Sequence, residues 1–238
     1  RFTVEAFYKR YSNMPVSVRN GVNLANQGGD FNVLGNEDII SNGRGRTYGV
    51  EVFAQQKLTR RFYGFFSYTF FVSRFSGADR RFVASAWDNR HLLSFTWGYK
   101  FKRNWELGLK FRYQGGAPFT PFDDAASRAN FLSTGEGTLD FARLNQQRLA
   151  AFHASDVRID KKWNWKKVTL DLFLDVTNWY IARNPAFPQY TFRRTADNSA
   201  FLTTNGGQLA FDGSNAIPFI LQNNDPSVTP TFGFILEF

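Results

Sequence analysis

At 238 residues the chain suits one domain, two at most, and the absence of cysteine excludes a disulfide framework. No apolar run approaches the ~20 residues of a spanning helix, and the 28 Phe, 9 Tyr and 6 Trp instead favour strands, whose pleated, half-buried surface suits aromatic rings. The formal net charge of +9 does not by itself indicate nucleic acid. A nucleic-acid groove gathers basic residues and aromatics on one exposed face, whereas here the excess falls in short connections.

The chain opens in a strand, Arg1-Phe2-Thr3-Val4-Glu5-Ala6-Phe7-Tyr8, with no signal peptide before it. So abrupt a start is expected of a piece of a longer polypeptide. Alternation of apolar and polar residues predicts eight strands, over 2–11, 47–58, 62–74, 89–101, 105–114, 153–163, 168–178 and 230–238. Most match the ~9–11 residues with which a tilted strand crosses a bilayer. The mean hydropathy of -0.37 is compatible with that, because alternating strands dilute their own hydrophobic signal.

Two strands show the pattern best. His91, Leu93, Phe95, Trp97, Tyr99 and Phe101 alternate with Arg90, Leu92, Ser94, Thr96, Gly98 and Lys100. Trp105, Leu107, Leu109, Phe111 and Tyr113 then alternate with Glu106, Gly108, Lys110, Arg112 and Gln114. The expectation is that Phe95, Trp97, Tyr99, Trp105, Leu107 and Phe111 face lipid. Glu51, Arg90, Lys110, Arg112, Asp156, Arg158, Asp171 and Asp175 are expected on the opposite, lumen-facing side. Buried charges must find partners, so these pair with one another and serve the wall rather than hold solute.

Thr59-Arg60-Arg61, Lys102-Arg103-Asn104 and Asn164-Trp165-Lys166-Lys167 read as tight turns whose charged residues are all basic, placing positive charge along one rim near anionic head groups. The other connections, about 12–46, 75–88, 115–152 and 179–229, are long. Short turns at one end and long loops at the other are the asymmetry of outer-membrane barrels. The long loops offer Asn20, Asn23, Asn26, Phe31, Asn32, Phe131 and Asn145 as groups suited to a polar ligand. Asp88 with His91, and Asp156 with His153, could be drawn as acid–base pairs, but no serine stands in a nucleophile's setting. No enzyme activity, cofactor or metal is expected.

From Thr47 onward the chain resembles the C-terminal part of a TonB-dependent outer-membrane receptor. The resemblance is carried by Tyr48-Gly49-Val50-Glu51-Val52-Phe53, Phe66-Ser67-Tyr68-Thr69, Asp88-Asn89-Arg90-His91 and Gly115-Gly116-Ala117-Pro118-Phe119-Thr120-Pro121. Asp156-Val157-Arg158-Ile159-Asp160-Lys161-Lys162, Asp175-Val176-Thr177-Asn178 and the terminal Gly-x-x-apolar-x-Phe complete it. It implies an all-β, antiparallel, up-and-down transmembrane barrel of about 22 strands around a plug, of which these eight strands form the C-terminal third. The plug, the energy-coupling box and the first barrel strands are absent from the sequence.

The resemblance also implies that Thr231, Gly233, Leu236 and Phe238 are read by the barrel-assembly machinery. Further implied partners are the remaining strands and plug of the same receptor, outer-membrane lipids, a TonB-type coupling protein and an unidentified solute, with no nucleic acid. The rival readings are a self-contained eight-stranded barrel with a structural or adhesive role, an outer-membrane hydrolase, and a soluble lectin-like sandwich.

Overall fold

The computed structural model describes residues 1–28 and 36–238. Eight long strands follow one another as an antiparallel meander: β1 (Phe2–Ser17), β2 (Ile39–Thr59), β3 (Phe62–Ser76), β5 (His91–Lys100), β6 (Trp105–Gln114), β9 (Phe152–Asn164), β10 (Thr169–Thr177) and β13 (Thr229–Glu237). β4 (Phe82–Ala84) folds back onto the outer end of β3. The remaining elements belong to the long loops. They are β7 (Pro118–Phe119) with β8 (Gln147–Arg148), β11 (Gln189–Phe192) with β12 (Pro218–Leu221), and the helices α1 (Leu24–Gln27) and α2 (Asp124–Thr134).

Pairing places residues opposite one another on a common face, so the register decides what each side of the wall presents. Phe66 meets Phe95, and Phe95 meets Phe111. Leu107 lies between Tyr99 and Ile159, Ile159 meets Leu174, and Leu174 meets Phe232. One face is thus predominantly apolar from Phe2 to Leu236, with Lys161 near the short turns and Arg10, Arg46 and Arg74 toward the long loops. The other carries Glu51, Thr69, Ser94, Lys110, Asp156, Arg158 and Asp175. β1 and β13 do not pair among the described residues, and the sheet is open.

On the polar face, aromatic rings lie across the backbone of glycines on the neighbouring strand: Tyr63 over Gly98, Phe173 over Gly233, and Phe75 over Gly45. A ring there shields backbone that has no side chain of its own. At Gly49 the approach is tighter, because a Cβ would meet the carbonyl oxygen of Phe70 as well as the ring of Phe7.

The first two strands run well beyond their expected ends. β1 continues past Tyr11 through a register shift at Asn13 and Met14, with Asn13 in the left-handed region (φ 55), and β2 begins at Ile39 rather than near 47. These extensions carry polar residues on both faces, so alternation does not mark them. The helix α2 was not expected either. Asp123 caps its N-terminus by accepting from the Ala126 amide, and Gly135 ends it in the left-handed conformation.

A methyl at position 49 has only backbone to displace on the β3 side. Gly49→Ala is therefore expected to lower stability by about 1–3 kcal/mol, read as a lower denaturant midpoint with an unchanged slope.

Candidate binding surface: the loop layer and the polar wall

The loops between the long strands pack into a layer organised by one carboxylate. Asp88 is fully buried. Its Oδ1 accepts from the Ser73 amide at 2.7 Å, and its Oδ2 accepts from Arg90 Nε at 2.9 Å and Arg148 Nη2 at 2.6 Å. Three segments distant in sequence, the end of β3, the lead into β5 and β8, thereby converge on a single charge. Arg90 precedes β5 rather than lying in it, with a left-handed backbone (φ 67) that turns its guanidinium back to Asp88.

The loop asparagines are engaged within the layer. Asn20 Oδ1 accepts from the Val22 amide, and Asn23 caps α1 while donating to the Ser76 carbonyl. Asn26 Nδ2 donates to the carbonyls of Val83 and Ala84, and Asn145 Nδ2 donates to those of Asn26 and Ala84 at 2.7 and 2.8 Å. These amides satisfy backbone acceptors that the irregular segments leave over. Phe131 sits in an apolar cluster with Tyr190, Phe192 and Ala216. Phe31 and Asn32 lie outside the described residues.

Two clefts flank this layer. One, of about 590 Å³, brings together Arg74, Arg81, Arg90 and Arg148 with Asn20, Asn23 and Asn145. The other, of about 540 Å³, is walled by Trp87, Phe119, Phe122, Phe187, Pro118 and Pro188. Trp87 is half exposed and stands edge-on to Phe75. The aromatic cleft had no sequence signature beyond the Gly115–Pro121 stretch, since its walls, with Leu24 and Gln27 completing them, come from four separate loops.

On the polar face charges pair across and along strands. Arg112 meets Asp156 at 3.0 Å, Lys162 meets Asp171 at 3.2 Å, and Arg158 meets Asp160 at 2.7 Å while stacking 3.9 Å from the Phe173 ring. Tyr63 donates to Glu106. Lys110 stands opposite Asp156 in register and Asp175 opposite Arg158, whereas Glu51 faces Glu5. At the last strand Thr231 opposes Asp175, Gly233 lies under Phe173, Leu236 opposes Leu170, and Phe238 extends beyond the pairing.

Trp97 opposes Gly64 and Leu109, and Trp105 opposes Lys161, so both share the apolar face with Phe95, Tyr99, Leu107 and Phe111. The two Asp–His combinations are not brought together. His91 Nδ1 is bonded to Tyr68 and His153 Nδ1 to Tyr180, while Asp156 serves Arg112 and the Asn178 amide.

No protein-family model matches the chain, and no curated protein sequence does. In fold it is similar to the crystal structure of Fiu, the ferric-catecholate import receptor of E. coli K12, with a TM-score of 0.54 and 13% sequence identity. The likeness covers 99% of this chain but only 25% of the receptor's, so the chain spans about a quarter of the length of the structure it matches. The fold is all-β: an open, antiparallel, up-and-down sheet like part of a β-barrel.

Removing the Asp88 carboxylate leaves two guanidiniums and the Ser73 amide without their acceptor. Asp88→Ala is expected to cost about 2–4 kcal/mol locally, below a fully buried pair because both arginines keep about a third of their side chains in solvent. The check is faster proteolytic nicking within 77–90 and 115–151, with the eight-stranded wall still protected.

Burial, and then the bond to Asp124, push the Tyr190 phenol well above its ordinary value near 10. A raised folded value means that the neutral phenol's contribution is complete below pH 10 and is lost as pH rises beyond it. A near-ultraviolet titration should lose one late-titrating phenol in Tyr190→Phe.

Proposed function

We propose that the chain is the C-terminal wall and loop layer of an outer-membrane, TonB-dependent transporter. The observation that carries this reading is the two-faced register, kept along the strands between the shifts at Met14 and beyond Gln56. Eight consecutive strands keep an apolar face and an ion-paired face, with tight basic turns at one end and folded loops at the other. The receptor-like fold supports it. In hydrocarbon every backbone donor and acceptor must be paired, so the open edges at β1 and β13 call for neighbouring strands. Further strands of the same receptor close the wall. An open sheet speaks against the self-contained eight-stranded barrel.

In this reading the ion-paired face meets a plug domain and the apolar face meets outer-membrane lipid. Thr231, Gly233, Leu236 and Phe238 form the strand that the assembly machinery captures, and a TonB-type protein supplies energy through the plug. The solute is held from outside by the loop layer, with Trp87 and the aromatic cleft as this segment's contribution. The cargo to try first is a ferric catecholate, after the neighbour. We assign the segment no catalytic step.

Two substitutions in the full receptor test the membrane reading. Leu109 lies midway along β6 on the apolar face, so Leu109→Arg should cost about 2–4 kcal/mol of folding in a bilayer. Thr96→Arg, on the polar face of β5, should leave folded outer-membrane yield nearly unchanged. Equal behaviour of the two would exclude lipid contact. For transport, energy-dependent uptake of a ferric catecholate should weaken on the order of tenfold in Trp87→Ala, while uptake that persists without the energy-coupling protein would sink the transporter reading.

A further inference from the structure

Three arginines stand side by side on adjacent strands of the apolar face. Arg10 of β1 is paired in register with Arg46 of β2, and Arg46 with Arg74 of β3. Like charges directly opposite one another on a sheet repel, so such a row favours an anion beside it. Among the described residues no ion pair includes Arg10, Arg46, Arg74 or the nearby Arg44. Moreover, the Nε–H of Arg46 is withdrawn from solvent and has no acceptor among the described residues. Aromatic rings hold two of the guanidiniums in place, with Arg46 4.6 Å from the Phe82 ring and Arg10 5.4 Å from that of Tyr8.

The height of the row identifies what it meets. Below it on the same face lie the rows Tyr8–Tyr48–Val72, Ala6–Val50–Phe70, Val4–Val52–Tyr68 and Phe2–Ala54–Phe66. From Phe62 to Val72 the apolar face of β3 runs roughly 33 Å along the strand at ~3.3 Å per residue. A tilt of ~40° reduces this to about 25 Å of height, the thickness of an outer-membrane barrel's apolar band. Arg74 is the next residue up on that face. The row therefore stands where the hydrocarbon ends, on the long-loop side, at the level of lipid head groups.

We propose that Arg10, Arg46 and Arg74 form a clamp for the phosphates of an acylated outer-leaflet glycolipid, seated with its chains against the Tyr8–Tyr48 rows. The inference rests on the membrane reading above. A guanidinium binds phosphate bidentately, and three of them at strand spacing can engage more than one phosphate of a single head group.

The test uses the full receptor in detergent, titrated with diphosphorylated lipid A, with dephosphorylated lipid A and with inorganic phosphate, and read by native mass spectrometry. At roughly fivefold per arginine near a lipid surface, the variant Arg10→Gln/Arg46→Gln/Arg74→Gln should bind diphosphorylated lipid A roughly a hundredfold more weakly than the parent. Arg10→Gln alone, an exposed side chain that asks nothing of folding, should cost roughly fivefold. Neutralising Arg60, Arg61 and Arg103 in the short turns should leave binding unchanged.

Equal binding by the parent and the clamp variants overturns the proposal. So does equal loss in the short-turn control, which would mean diffuse attraction, and so does competition by inorganic phosphate as effective as that by the lipid. Folded receptor recovered in the outer membrane with unchanged lipid binding rejects the clamp alone; a receptor absent from that membrane rejects the wall reading itself.

Discussion

The structure depends on the pairing register across eight strands, which shifts only at the ends of β1 and β2. Side chains alternate faces with a period of two, so a shift of one residue in any pair would carry Arg112, Asp156 and Arg158 to the apolar side and their aromatic neighbours to the polar side. Short turns limit that freedom at one end. On the polar face the rings of Tyr63, Phe173 and Phe75 lying across cross-strand glycines mark fixed pairings, because each ring fits only where its partner lacks a side chain.

Above the wall a different economy operates. The loops cannot pair their backbones by repetition, so side chains complete the hydrogen bonding. Asp88 gathers the β3 terminus, Arg90 and Arg148, while Asn23, Asn26 and Asn145 bind carbonyls left over by irregular chain. Strand β4 and helix α1 stay attached through these bonds. Phe131, Tyr190 and Phe192 add a small apolar core elsewhere in the layer. A rigid layer of this kind can hold preformed clefts at the mouth of the wall, which suits the receptor role proposed.

In that role the charges divide by location. The polar face neutralises itself through Arg112–Asp156, Lys162–Asp171 and Arg158–Asp160. The surplus positive charge stands at the two borders of the apolar face, in the short turns at one end and in the Arg10–Arg46–Arg74 row at the other. A wall between two layers of anionic head groups would be charged in this way.

The fold class, the eight long strands and the alternation of an apolar with a polar face between the turns were legible in the sequence, because a sheet with one apolar and one polar side writes that difference into every second position. The 105–114 strand was located to the residue for that reason. The outer reaches of β1 and β2, the return strand β4 and the helix α2 were not legible, since beyond the apolar band both faces are polar and alternation carries no information. Nor could spacing show that Asn20, Asn23, Asn26 and Asn145 would be bound internally, or that Asp88 would anchor the loop layer. The row of three arginines was equally hidden. Arg10, Arg46 and Arg74 lie far apart along the chain, and only the pairing of three strands makes them neighbours. Local alternation determined which side a residue takes; long-range register alone decided which residues share a place on it.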